Sequence, residues 1–229
     1  MNERIHPAGL ERFDRDVLVA LRRSSFLPVL YGLMALSGLG ERPVPLGELA
    51  TALGRAKEDT ERLVRLHTTA RVRDSLVHWE APVPVTRARR TLHVGDRAVP
   101  MNRCFAAAFL LASILDVPFG LDEPCAATGV PIRIDFVPGG CALVEPRGTV
   151  VAVPSPASPR RDRWHDAEWK DDNVCVHGVG FASAAVARPW LVDHPGGRIF
   201  TVAEMFDRPW IARGQHTLRL RLPARSERS

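Results

Sequence analysis

Arg103-Cys-Phe-Ala-Ala-Ala-Phe-Leu-Leu-Ala-Ser-Ile-Leu115, then Cys125-Ala-Ala-Thr-Gly129, and farther on Val174-Cys-Val-His177: these segments hold three of the chain's 4 cysteines. Cysteine both attacks as a thiolate and grips a soft metal. No other cluster offers comparable chemistry, so the remainder reads as scaffold around it. The first segment is apolar nearly all round, which places it inside a domain. The pattern predicts a helix that begins near Met101, after Pro100, with Cys104 in its first turn. The positive end of a helix, with Arg103 alongside, lowers a thiol pKa. The alternative reading of Cys104 is a small buried hydrophobe.

Toward the C-terminus, residues 119–154 read as β-structure: Ile132–Val137 alternates apolar and polar residues, Pro138-Gly-Gly140 turns, and Thr149–Val153 reads as a second strand. Cys125 opens a tight small-residue turn and reads as structural; Cys141 reads as incidental. Residues 154–172 form a proline-rich polar loop, with Trp164 and Trp169 read as pinning it to the surface in preference to closing a lid. Cys175 to Ser183 alternates like a strand that then meets a helix, and Ala184–Leu191 and Val202–Phe206 read as helical. The charged tail, residues 223–229, is expected to be disordered.

Toward the N-terminus, residues 5–40 read as a helical pair interrupted at Pro28, with Gly38 and Gly40 as stops. Residues 41–98 form a unit of their own. Pro45–Leu53 is a short amphipathic helix, Gly54 breaks it, and Lys57–Ala70 is a second helix with Glu58 and Asp59 in its first turn. Leu76–Trp79 and Val83–Val94 then alternate like the two strands of a ribbon. This is the layout of a winged helix. Arg62, Arg65 and Arg71 on the second helix, and Arg87, Arg89 and Arg90 on the ribbon, fit phosphate contacts or a solvated face; the second is favoured.

With 229 residues, 45% hydrophobic and 25% charged, the chain can bury a sizeable core. The net charge of +5 is mild, so nucleic acid is not expected as a partner. No apolar run reaches membrane-spanning length. The N-terminus lacks a basic-then-apolar leader, which points to the cytoplasm, where cysteines stay reduced. The expected fold class is α+β: a winged-helix-like helical domain over residues 1–98, then a mixed or antiparallel sheet core flanked by helices over residues 99–222.

The ordered series Cys104 before an apolar helix, Cys125-Ala-Ala-Thr-Gly-Val-Pro131, Val144-Glu-Pro146, Cys175-Val-His177 ahead of Phe181-Ala-Ser183, and Thr201-Val-Ala-Glu-Met-Phe206 resembles the organomercurial (alkylmercury) lyase family. The likeness spans roughly residues 41–210. It implies that Cys104 and Cys175 are the two catalytic, mercury-binding cysteines and that Cys125 is structural. One position departs: where the family carries an aspartate or a serine, one helical turn after the first cysteine, this chain has Ala107.

The resemblance implies cleavage of a carbon–mercury bond by thiolate-assisted protonolysis, giving a hydrocarbon and dithiolate-bound Hg(II). Mercury is a soft cation and thiolate the softest protein ligand. Cys104 is read as the first nucleophile and Cys175 as the second ligand and possible proton source. No cofactor is expected; the partners are a small organomercurial and an external thiol that removes the product. Asp122 and His177 are candidates to replace the missing acid. Two alternatives stand: the same cysteine pair used for another thiol-dependent reaction or for metal binding, and a DNA-binding metal-sensing regulator.

Overall fold

The computed structural model describes residues 7–222 apart from residues 69, 80–89, 102, 116 and 157–173. The chain is α+β, with helices first and antiparallel sheets after. Helices α1 (Pro7–Arg23) and α2 (Phe26–Leu36) open the described chain. The break between them falls at Ser24-Ser25, ahead of the expected Pro28. A proline in the first helical turn lacks only an N–H that would have had no partner, so α2 accepts it.

Helix α2 is buried almost all round, and its apolar residues form two stripes. Phe26, Leu27, Leu30, Tyr31 and Met34 face the main core. Val29, Leu33 and Leu36 face a smaller core made with α3 (Leu46–Leu53), α4 (Lys57–His67) and their sheet. Both stripes keep the i, i+3, i+4 spacing of a helix face.

Gly54 closes α3 in the left-handed conformation (φ 61°), as a glycine after a helix does. Strands β1 (Val44–Pro45), β2 (Arg71–Arg73) and β3 (Leu76–His78) make a three-stranded antiparallel sheet in the order β1-β3-β2. The ribbon is therefore 71–73 with 76–78, joined by a turn at Asp74 and Ser75 with φ of 50° and 61°. It is not the expected pair 76–79 and 83–94. The earlier part of that second strand, with Arg87 and Arg89, lies outside the described residues. Its end, β4 (Arg90–Val94), belongs to a different sheet.

That sheet has five antiparallel strands in the order β5-β4-β6-β7-β8, with β5 Arg97–Met101, β6 Phe119–Pro124, β7 Pro131–Val137 and β8 Gly140–Glu145. Met101 ends a strand rather than beginning a helix. Pro100 sits in that strand because β5 is an edge, where a missing N–H costs no ladder bond. Strands β6 and β8 fall within residues 119–154, expected to be β-structure, but carry no clean alternation that would have set their bounds.

Helix α5 (Ala106–Ala112) is buried along its whole length and packs on the sheet. Phe109 meets Phe136 edge-on at 5.1 Å, and Phe119 stacks on Phe136 at 4.8 Å. Strand β9 (Val150–Val153) pairs with β10 (Gly180–Phe181) and β11 (Arg198–Thr201) in a third sheet. The helix expected over 184–191 is two short turns, Ala184–Ala187 and Trp190–Asp193, because Pro189 falls between them. Val202–Phe206 is helical as expected, and its start carries a reciprocal Thr201–Glu204 capping box. No single described helix is long and apolar enough to cross a membrane.

Candidate functional site

Two chain segments carry the cysteines of interest. Cys104 lies in the bend between β5 and α5, two residues before the first helical residue. It does not occupy the helix's first turn, although its carbonyl accepts from the Ala107 amide at 2.8 Å. Cys175 begins a 3-10 turn, Cys175–His177, where an alternating strand was expected. Both line one cavity of about 80 Å³, together with Ala107, Tyr31, Arg103 and Trp210. Most of the remaining wall is aliphatic. Cys175 is 4% exposed, and Cys104 is half-buried.

The two segments are tied directly. The Phe105 amide donates to the Gly178 carbonyl at 2.8 Å. Position 178 must be glycine for this approach: a Cβ there would stand 2.5 Å from the Cys104 Cβ. Behind the tie sits an ion pair whose arginine was expected at the surface. Arg90 and Glu123, each 2% exposed, pair through the Arg90 Nε and a second bond from a terminal nitrogen at 3.0 Å. The guanidinium also donates to the Arg103 carbonyl at 2.5 Å and to the Gly178 carbonyl at 2.7 Å. One buried arginine thus holds the backbone on both sides of the cysteine pair.

Strand register explains how the pair forms. Thr91 stands opposite Asp122, so the same register carried one residue further sets Arg90 directly across from Glu123 on the inner face. Glu123 alternates with Leu121 and Phe119 and so points inward at a position otherwise apolar. A carboxylate there requires a partner. Arg90 therefore belongs neither to a phosphate-binding ribbon nor to a solvated face, because its sheet buries it.

Asp122 takes the opposite face and pairs with His93 at 2.7 Å, with side chains 44% and 37% exposed. It is not part of the cavity wall, and neither is His177. The His177 ring stands 2.9 Å from His194 Nε2, and His194 Nδ1 stands 2.8 Å from the Trp190 carbonyl. A carbonyl only accepts, so His194 donates from Nδ1. With both rings neutral, His177 then donates from Nδ1 to His194 Nε2. The two candidate replacements for the missing acid are thus engaged elsewhere.

Cys125 is 2% exposed and accepts from the Ala182 amide at 3.4 Å. Its own amide donates to the Val130 carbonyl at 2.7 Å, and the turn closes through Gly129 at φ 72°. Burial pushes the thiol's pKa up, but hydrogen bonds from the Thr128 side chain and the Ala182, Ala127 and Thr128 backbone outweigh it, and the net direction is downward. Its place is to pin the β6–β7 turn against residues 180–182. Burial raises the Cys141 thiol, which lies on β8 away from the cavity.

Trp210 and Tyr31 were missed in the sequence. Trp210 donates to the buried Asp14 carboxylate at 2.9 Å, and Arg208 reaches the same group at 3.2 Å, so α1 holds this part of the wall. A carboxylate inside the apolar face of α1 was the available signal.

The model of a family described as MerB, alkylmercury lyase, matches residues 86–211. The chain belongs to the alkylmercury lyase family. The alkylmercury lyase of Bacillus cereus is 27% identical over 104 residues, 45% of this chain and 44% of that protein. That of Streptomyces lividans is 28% identical over 103 residues, with coverages of 45% and 44%. For the Pseudomonas putida alkylmercury lyase the figures are 30% over 104 residues, 45% of each. The matched stretch is thus under half the length of these curated relatives. The fold also matches the crystal structure of the mercury-bound form of MerB2, with a TM-score of 0.56 at 18% identity, over 91% of this chain and 99% of that one. The alkylmercury lyase match takes in Cys104, Ala107, Cys125 and Cys175, while Tyr31 and the α1–α2 wall lie outside it.

Proposed function

We propose that this protein cleaves carbon–mercury bonds by protonolysis, with Cys104 and Cys175 as the catalytic, mercury-binding thiols. One observation carries the reading: the two cysteines, 71 positions apart in a chain of this family, open on a single apolar cavity. A thiolate on mercury raises electron density at the metal and weakens the bond to carbon. The carbon leaves as a hydrocarbon when it takes a proton, and the second sulfur completes a linear dithiolate around Hg(II). The aliphatic wall suits both an organic group and a soft, poorly hydrated cation. An external thiol then removes the Hg(II), no cofactor takes part, and the reaction belongs in the reducing cytoplasm.

The test is hydrocarbon release from phenylmercury or methylmercury in excess thiol. Wild type releases benzene or methane, and Cys104→Ser and Cys175→Ser each abolish release. Retention of full turnover by either serine variant would sink the assignment.

A second reading is favoured by one feature. Among the described residues lining the cavity there is no carboxylate, and Ala107 stands where the resemblance puts the family's aspartate or serine. On this reading the pair captures mercury compounds without cleaving them. It predicts stoichiometric binding with no hydrocarbon from wild type, and release only after Ala107→Asp.

A further inference from the structure

The geometry points to Tyr31 as the catalytic acid of this cavity, delivering the proton to the departing carbon; the inference rests on the lyase reading above. Tyr31 is the chain's 1 tyrosine. It sits on the core-facing stripe of α2, 3% exposed, and lines the cavity with both cysteines. Its hydroxyl lies 3.4 Å from the Ala107 carbonyl oxygen, on the helix turn where the family places its acid. A hydrogen bond that long is weak.

Elimination leads to the same group. Among the described residues of the cavity wall, the ionisable side chains are Tyr31, Arg103, Cys104 and Cys175. A guanidinium does not give up its proton in a protein. The Cys104 sulfur is already a thiolate on mercury, and the Cys175 proton reaches carbon through the phenol, whose hydroxyl lies beside the Ala107 carbonyl. Asp122 and His177 are engaged elsewhere. The phenol is the remaining O–H.

The step balances without an oxidant or reductant. The Cys104 thiolate holds R–Hg. Tyr31 gives its proton to carbon as the carbon–mercury electron pair becomes a carbon–hydrogen bond. The phenolate takes the proton of the Cys175 thiol, and that sulfur closes on mercury. In sum, R–Hg–S(Cys104) and Cys175–SH become R–H and Cys104–S–Hg–S–Cys175, with tyrosine restored.

Tyr31→Phe removes one oxygen and keeps the ring, so the wall stays filled. Single-turnover benzene release and phenylmercury binding are measured on the same preparation. The expected result is stoichiometric binding with release slowed by about 10²–10⁴-fold, the range for a positioned acid. Adding Ala107→Asp to Tyr31→Phe is expected to bring release back to within about tenfold of wild type, because a carboxylate on the adjacent turn can carry the same proton. A wild-type rate in Tyr31→Phe overturns the proposal and leaves the lyase reading standing. So does loss of binding and rate together without rescue by Ala107→Asp, which makes Tyr31 only part of the wall. No benzene from wild type overturns both.

Discussion

The five-stranded sheet and the α3–α4 unit both set arginines against carboxylates, with opposite consequences. Arg62 pairs with Asp59 and Arg65 with Glu61 along one face of α4, all well exposed apart from Glu61 at 34%. These pairs decorate a helix that would form without them. Arg90 and Glu123 sit buried in the interior, where neither is tolerated alone and where the arginine's spare donors fasten two distant loops. Residue type is shared; burial decides whether the arginine is ornament or keystone.

The sharpest way to break that contrast is to remove one partner from each. Arg90→Leu strands the Glu123 carboxylate in the core and is expected to cost about 3–5 kcal/mol, read as a large fall in Tm and in denaturant midpoint. Arg65→Leu is expected to change stability by no more than about 0.5 kcal/mol. Equal losses in the two variants would refute the distinction.

Next in size is Gly178→Ala. The added methyl meets the Cys104 Cβ, not a yielding side-chain tip, so the backbone of one cysteine segment must move. About 1–3 kcal/mol of destabilisation is expected. Phenylmercury release should fall by more than that loss alone would explain, since the sulfurs are also displaced. A variant with normal stability and normal release would show that the close approach is incidental.

Asp14→Asn comes third. It keeps the acceptor for Trp210 but removes the charge that Arg208 meets, for about 1–2 kcal/mol. Thermal unfolding of Asp14→Asn beside Trp210→Phe measures how much of the α1 anchor is ionic.

The smallest effect concerns the two cysteines off the site. The Cys125 pKa is lowered from 9.0 by folding, so its ionised form is favoured in the native state. Its stabilisation is fully present above about pH 9 and fades as pH falls through the native value. Burial raises Cys141, so its contribution runs the other way and is lost at alkaline pH. Unfolding midpoints of wild type, Cys125→Ala and Cys141→Ala between pH 7 and 10 should diverge in opposite senses.

How much of this was legible in advance varied with the range of the interaction. Helices α3 and α4 announced themselves through Gly54 and the acids of the first turn, which are local signals. The strand Ile132–Val137 did the same through alternation. The positions of Cys104, Ala107 and Cys175 were picked out by family likeness, and the fold brings all three to one cavity. What could not be read was non-local. Arg90 looks like any surface arginine until its neighbour across the sheet proves to be an inward-facing glutamate 33 positions later. Tyr31 looks like one more apolar residue of a buried helix until α5 arrives beside it. The start of α5 was misplaced because Pro100 suits an edge strand as well as a helix entrance.

The α1–α2 wall has a consequence for anyone trimming this protein. The stretch recognised by the family model begins at residue 86, yet Val17, Leu21, Leu27 and Tyr31 roof the cavity from far upstream. A fragment cut at that border would keep every cysteine and lose the shelter of the cavity pair. Its thiols would face bulk water, open to air oxidation and to crosslinking between molecules.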